Sequence, residues 1–172
     1  MGEHWQADLS GPTELGRIVA AAKDHNDPAA TEQLCLMIKR FAAGSLDLAA
    51  HPALGSHATV IAAVPSNPTT ADHLVHHLAE SVGASLGVAA DREILVRRNS
   101  TARLRDTDPS QRSRLAADAG YEVTRPLEGA AVVLVDDVIM TGTTVGHVSK
   151  LLFEAGASRV DVVIASRTRR RG

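Results

Sequence analysis

Cysteine and aromatic residues are nearly absent from this sequence of 172 residues. Cys35 is the single cysteine, so no disulfide can form within the chain. One tryptophan, one tyrosine and two phenylalanines make up the whole aromatic content. Because proteins that bind single-stranded nucleic acid stack its bases on aromatic side chains, we do not expect a base-stacking surface here.

Long apolar runs are also missing from the sequence. No stretch approaches the roughly 20 apolar residues that a membrane-spanning helix needs, so no membrane partner is expected. The N-terminal residues include acids and a tryptophan where a secretory signal would have an apolar core. We therefore expect a cytoplasmic protein, and its length allows one domain with a full aliphatic core.

Positive charge is scarce in the first half of the chain and abundant in the second. Residues 1–86 contain four Lys/Arg against nine Asp/Glu, whereas residues 87–172 contain fourteen against eleven. Thirteen of those fourteen cations are arginine, whose guanidinium group suits bidentate contacts with phosphate. The second half therefore has the residue type that a phosphorylated ligand would need.

Apolar periodicity predicts helices that alternate with buried strands. Helices are expected at about 13–23, 29–41, 70–82 and 144–154, and strands at 57–64, 93–96, 131–136 and 159–165. This alternation indicates an α/β fold with a parallel, doubly wound sheet and helices on both faces. We expect an N-terminal helical segment (the hood) at 1–56, a core at 57–168 and a basic tail at 169–172.

Residues 132–146 carry the clearest chemical signal. Four apolar residues run into Asp136 and Asp137, and a Thr/Gly-rich turn then opens a predicted helix. Carboxylates accept hydrogen bonds from sugar hydroxyls or hold Mg²⁺, while backbone N–H groups at a helix start bind phosphate. In α/β sheets, ligands bind at the carboxyl ends of the strands, where Asp136, Asp137 and Ser66 are expected. The pattern predicts a phosphorylated-sugar site; the alternative is a strand end that merely solvates two acids.

The order of this segment resembles the phosphoribosyl-pyrophosphate (PRPP) motif of type I phosphoribosyltransferases. The resemblance implies that Asp136 and Asp137 accept the ribose hydroxyls and that Asp137 favours positive charge developing on the sugar during catalysis. It also implies Mg²⁺ as cofactor, held mainly by the substrate and weakly by Asp136. The 5-phosphate would be bound by Met140, Thr141, Gly142, Thr143 and Thr144. Met140 departs from the motif, because many members have Thr or Ala there and the purine-salvage branch has an acid.

Two further loops match the same resemblance. Pro65, Ser66 and Asn67 begin a turn before a predicted helix, in the position of the family's pyrophosphate loop. The polar, Arg-rich stretch 97–115 is predicted to be a lid, since long polar loops in compact domains often close over sites. Arg98 and Arg112 are the candidates for a catalytic arginine that meets the leaving pyrophosphate. A solvated loop or a basic strip for nucleic acid is the alternative.

The finer pattern resembles the ComF branch, the competence-associated phosphoribosyltransferases. The matching residues include Val64-Pro-Ser, Arg97-Arg98, Ser110-Gln-Arg112 and a helical segment with Lys23. Many ComF-like proteins begin with a cysteine zinc module, and zinc is not expected here because those cysteines are missing from the sequence.

The resulting prediction is a Mg²⁺-dependent phosphoribosyltransferase that transfers the 5-phosphoribosyl group from PRPP to a nitrogen nucleophile, a nucleobase or amine, and releases pyrophosphate. The resemblance also implies a homodimer. One alternative is a non-catalytic PRPP-binding regulator or a competence and DNA-uptake partner, since fold alone does not set function. A metal-dependent phosphatase would need further acids or histidines at other strand ends, and the sequence offers none. The acceptor is not encoded in any motif.

Overall fold

A computed structural model describes residues 13–45, 59–66, 73–98 and 120–168. The helices in those ranges are α1 (Glu14–Asp24), α2 (Pro28–Ser45), α3 (His73–Leu86) and α4 (Thr143–Glu154). The strands are β1 (Thr59–Ala63), β2 (Ala90–Asp91), β3 (Leu95–Arg97), β4 (Tyr121–Val123), β5 (Ala131–Ile139) and β6 (Arg159–Arg167). None of the helices in this part of the chain is both long and apolar enough to cross a membrane.

Four of the strands form a parallel sheet in the order β2-β1-β5-β6. The central strand β5 pairs with β1 from Ala131 to Val135 and with β6 as far as Ile139. Its first five residues are all buried. This burial on both faces explains why the strand reads as a continuous apolar run rather than an alternating one.

Helices cover both faces of this sheet. Helices α1, α2 and α3 pack on one face, where their buried residues join those of alternate β5 positions such as Val133 and Val135. Helix α4 packs on the other face together with Val132 and Leu134. The predicted doubly wound α/β class is therefore confirmed.

The first two helices form where local sequence supports them. The Thr13 side chain accepts a hydrogen bond from the Gly16 N–H and caps α1, and the Asp27 carboxylate accepts the Ala29 N–H at the start of α2. Helix α2 continues to Ser45, beyond the predicted end at 41. Phe41 continues the apolar spacing of Leu34 and Ile38, yet it is 38% exposed, and Ala42 is buried in its place.

A separate antiparallel pair, β3 and β4, lies on the α4 side of the sheet. The Arg98 N–H donates to the Gly120 carbonyl at 3.0 Å. This pair therefore joins the two ends of the segment 99–119, which lies outside the described residues. Arg97, assigned to the predicted loop, is instead the last residue of β3.

Several predicted strand bounds need correction. The strand expected at 93–96 begins at Leu95, and the sequence pattern misses β2 and β4. Strands β5 and β6 extend three and two residues beyond their predicted ends at 136 and 165, because their hydrogen-bonded pairing continues to Ile139 and Arg167. Asp136, predicted as the last residue of the strand, and Asp137, predicted just after it, consequently both lie within β5.

Candidate functional site

Two chain segments meet beside the last residues of β5. The backbone N–H of Val64, just after β1, donates to the Val135 carbonyl at 2.8 Å. Pro65 and Ser66 follow and are half-buried, so the first residues of the predicted pyrophosphate loop begin next to the acid pair. Asn67 lies outside the described residues. The topology thus brings the β1 loop and the β5 acids to the same edge, as predicted for parallel strands.

Asp136 and Asp137 are consecutive strand residues, so their side chains leave β5 in different directions. The Asp137 carboxylate forms an ion pair with the Lys23 ammonium of α1, and the Asp137 side chain is only 10% exposed. The Asp136 carboxylate instead accepts the Asp137 backbone N–H at 2.9 Å. The pair can therefore present carboxylate oxygens along more than one direction.

The charged form of Asp136 is poorly stabilised by its surroundings. Burial raises the pKa of Asp136 well above its ordinary value, and the neighbouring Asp137 carboxylate raises it further. Lys23 and the Asp137 backbone N–H oppose this increase without cancelling it. A ligand that brings hydrogen-bond donors or positive charge would relieve this imbalance.

The segment after β5 ends in a left-handed turn at the start of α4. Gly142 is the N-cap residue, with φ +79° and no side-chain cap. Because the first N–H groups of a helix have no backbone partner within it, they can donate to an anion. Thr141 and Thr143 add two hydroxyls, whose oxygens lie 2.9 Å apart. Thr144 is half-buried in the first turn.

Gly142 has a specific backbone role in this turn. A Cβ built on it would meet the Ile139 side chain at 3.5 Å, which is ordinary contact. The left-handed φ, rather than crowding, is therefore what favours glycine. Met140, directly before the turn, is exposed, so the residue that departs from the motif presents its side chain to solvent.

Of the two predicted arginines, the structure describes Arg98. Arg98 follows β3 and is exposed, and its Nε donates to the Glu122 carboxylate at 2.8 Å. That ion pair raises the pKa of Arg98 and lowers the pKa of Glu122. Arg112 lies outside the described residues. The structure therefore places Arg98 at the base of the predicted lid, paired to β4.

Lys23 is the site neighbour to which the sequence pattern gave no role. It follows Val19 by four residues, and Val19 is buried in the core. Residues four apart share one face of a helix. The spacing of Val19 and Lys23 could therefore have indicated from the sequence that α1 has a cation on its core-facing side. Its partner Asp137 is far away in sequence and could not be identified from local spacing.

No family model matches the chain. The chain is 35% identical over 83 residues to "DNA utilization protein YhgH" of Salmonella typhi, which covers 48% of this chain and 36% of that protein. It is 35% identical over 78 residues to the protein of the same name from Escherichia coli strain K12, covering 45% and 34%. The matched segments thus span about a third of the length of these relatives.

Solved structures share the fold at low sequence identity. One, described as the allosteric regulatory enzyme of purine biosynthesis, has a TM-score of 0.53 and 22% identity, covering 79% of this chain and 26% of that one. An alanine mutant from an analysis of an invariant aspartic acid in HPRTs has a TM-score of 0.51 and 16% identity, covering 78% and 67%. Glutamine PRPP amidotransferase from B. subtilis has a TM-score of 0.50 and 23% identity, covering 77% and 26%. The chain therefore has the fold of type I phosphoribosyltransferases.

Proposed function

We propose that this protein is a phosphoribosyltransferase that binds PRPP with Mg²⁺ and transfers its 5-phosphoribosyl group to a nitrogen nucleophile, a nucleobase or amine. One observation carries the proposal. The acid pair near the end of β5 is followed within six residues by the start of α4, whose N-cap residue, left-handed Gly142, supplies no side-chain cap. Carboxylates that can accept hydrogen bonds from ribose hydroxyls thereby lie near N–H groups that can donate to a phosphate, as a phosphorylated pentose requires.

The 5-phosphate would bind at residues 140–144. The backbone N–H groups there donate to its oxygens, and the hydroxyls of Thr141, Thr143 and Thr144 supply further donors. The partial positive charge at the start of α4 contributes about 0.3–1 kcal/mol in exposed settings. Because this part of the ligand does not react, its binding energy can be used to position the reacting carbon.

The ribose would lie over the acid pair. Asp136 and Asp137 accept hydrogen bonds from its hydroxyls, and their negative charge favours the positive charge that develops on the ring. The bond between C1 and the pyrophosphate oxygen breaks, a bond from C1 to the acceptor nitrogen forms, and that nitrogen releases its proton to solvent. No side chain forms a covalent bond to the sugar, so the protein acts by positioning its reactants and excluding water.

The pyrophosphate would bind where the chain leaves β1, at Pro65, Ser66 and Asn67. Arg98 and Arg112 remain the proposed arginines of the lid that meets its charge. No group of three or more metal-ligating side chains occurs within the described ranges. The Asp136 carboxylate fits a weakly held Mg²⁺, which would keep several waters and be bound mainly by the substrate phosphates. When bound, Mg²⁺ would neutralise charge on the pyrophosphate.

The hood is proposed to be residues 1–56, with the core at 57–168 and a basic tail at 169–172. Helix α1 supports this assignment because Lys23 reaches the acid pair. A homodimer and a cytoplasmic location are further parts of the proposal.

Turnover tests the proposal most completely. Pyrophosphate release from PRPP and Mg²⁺ is measured over a panel of nucleobases and amines, with the wild-type chain and Asp137→Asn. We expect release with at least one acceptor and a loss of roughly ten- to a hundredfold in the variant, since hydrogen bonds to charged groups contribute about 1.5–3 kcal/mol. Equal rates in both proteins would remove Asp137 from the site.

The second candidate is a non-catalytic PRPP-binding regulator or DNA-uptake partner. It is supported by the two relatives that are called DNA utilization proteins. PRPP binding without pyrophosphate release from any acceptor would favour it. Salt-dependent DNA binding that weakens when Arg169, Arg170 and Arg171 are removed would favour the DNA role.

A further inference from the structure

The ion pair between Lys23 and Asp137 joins the hood helix α1 to the acid pair of β5. The Asp137 side chain is 10% exposed and the Lys23 side chain is 32% exposed. Among the ion pairs of the described residues, this one has the most buried carboxylate, since the next are Asp161 at 24% and Asp91 at 28%. A pair so shielded from water is screened less than the others.

The packing of α1 determines where the ammonium lies. Val19 and Ala22 are each 2% exposed within the core on the α1 face of the sheet. Lys23 is one turn beyond Val19 and directly follows Ala22, so the buried side of the helix directs it to the sheet. Its location at the acid pair therefore follows from the fold rather than from the free rotation of a surface lysine.

A buried carboxylate needs a partner, because transfer from water is costly for an unpaired charge. Asp137 has a second carboxylate, that of Asp136, as its chain neighbour, which increases this need. Without Lys23, the Asp137 carboxylate would lose the cation that fixes its orientation. Its oxygens would then no longer be held where a ribose hydroxyl could donate to them.

We propose that Lys23 is a positioning residue of the PRPP site, which acts by holding the Asp137 carboxylate in the orientation that accepts a ribose hydroxyl. This inference rests on the proposed function. It predicts that Lys23 increases the affinity for ligands that carry the ribose hydroxyls. The affinity for ligands that contact only residues 140–144 should not depend on Lys23. A purely structural ion pair would not make that distinction.

The test compares three ligands by calorimetry: PRPP with Mg²⁺, ribose 5-phosphate and inorganic phosphate. Lys23→Met removes the charge and keeps most of the side-chain length. We expect it to weaken PRPP and ribose 5-phosphate by a similar factor, roughly ten- to a hundredfold, and to leave inorganic phosphate unchanged. Phosphate binding also reports the folded fraction, so partial unfolding of the variant cannot imitate the result.

Three further variants sharpen the test. Lys23→Arg should recover most of the affinity for PRPP, because it restores a cation. Lys39→Met, an exposed lysine on α2, is the matched control and should bind all ligands as the wild type does. In an Asp137→Asn background, Lys23→Met should have little additional effect, since the two changes interrupt the same interaction.

Two results would overturn the inference alone. PRPP binding by Lys23→Met that is as tight as in the wild type, or an equal loss of affinity for all three ligands, would each assign Lys23 a structural role only. If the wild-type chain itself binds no PRPP, the proposed function fails together with the inference that rests on it.

Discussion

Asp91 at the end of β2 and Asp136 near the end of β5 are aspartates of the same sheet with opposite surroundings. Asp91 accepts hydrogen bonds from Arg125 at 2.8 Å and from the backbone N–H groups of Glu93 and Ile94 at 2.9 and 3.0 Å. Burial alone would raise the pKa of Asp91, but these donors lower it below its ordinary value. For Asp136, burial and the adjacent Asp137 carboxylate raise the pKa.

The difference separates a carboxylate that serves the fold from one that we assign to a ligand. The chain itself satisfies Asp91, which stabilises the turn between β2 and β3. It leaves the charge at Asp136 incompletely compensated, which costs stability and is typical of functional sites. Substitutions at the two places should therefore have different effects on stability and on ligand binding.

The largest expected difference is in ligand response. Saturating PRPP with Mg²⁺ should raise the melting temperature of the wild type and of Asp91→Asn, because a ligand stabilises the state to which it binds. The same PRPP concentration should produce a clearly smaller increase in Asp137→Asn, whose affinity we expect to be roughly ten- to a hundredfold lower. A thermal-shift titration measures this, and equal shifts in the two variants would remove the distinction between the sites.

The turn before α4 should be sensitive to a single methyl group. Gly142→Ala places an alanine at positive φ, which costs about 1–2 kcal/mol, and should weaken inorganic phosphate as well as PRPP. Gly146→Ala is the control, because a Cβ there meets nothing within 4 Å and helix propensity favours alanine by about 1 kcal/mol. Urea unfolding should give opposite changes in the free energy of unfolding for the two variants. Phosphate calorimetry should show weaker binding in Gly142→Ala and not in the Gly146→Ala control. A destabilised Gly146→Ala would contradict this account of the turn.

Neutralising the two aspartates should change stability in opposite directions at pH 7. Asp136→Asn removes the repulsion between adjacent carboxylates and should raise the free energy of unfolding. Asp91→Asn weakens a partly exposed ion pair and should lower it, and each change should be about 1 kcal/mol or less. Chemical denaturation checks the signs, and a loss of stability in both variants would show that Asp136 also serves the fold.

The smallest expected effect is the loss in acid of the contribution that Asp91 makes to the free energy of unfolding. Its pKa is lower in the folded chain, so the unfolded chain binds the proton more tightly in acid. Its stabilisation is complete above the ordinary aspartate pKa of about 4 and is lost as the pH falls through the folded value. Between pH 5 and pH 3, the free energy of unfolding should therefore fall less steeply in Asp91→Asn than in the wild type. The difference between the two losses should be on the order of a few tenths of a kcal/mol. Identical pH slopes would contradict this contribution.

Local pattern was sufficient to predict three of the four strands of the main sheet, β1, β5 and β6, and the order of the β5 segment. The apolar run of β5 is long and buried on both faces, and its carboxylates and the Thr/Gly turn follow in chain order. Helix α4 starts at Thr143, one residue before the predicted position, because Gly142 ends the turn. These features depend on neighbouring residues, which periodicity and turn chemistry report directly.

Long-range contacts account for what the sequence pattern missed. Strands β2 and β4 have two and three residues, too few for periodicity, and they form because β1 and β3 provide edges for pairing. Phe41 fits the apolar stripe of α2, but the packed contacts of the helix follow Leu34, Ile38 and Ala42 and leave Phe41 exposed. Likewise, the contact of Lys23 with Asp137 depends on how α1 packs on the sheet, which no local spacing encodes.

Calorimetric titration of the wild-type chain with PRPP and Mg²⁺ tests the central claim most directly. The account predicts one saturable site per chain, competed by ribose 5-phosphate because both ligands use the acid pair and residues 140–144. Absence of binding, or binding that ribose 5-phosphate does not displace, would contradict the assignment of this edge of the sheet to a phosphorylated pentose.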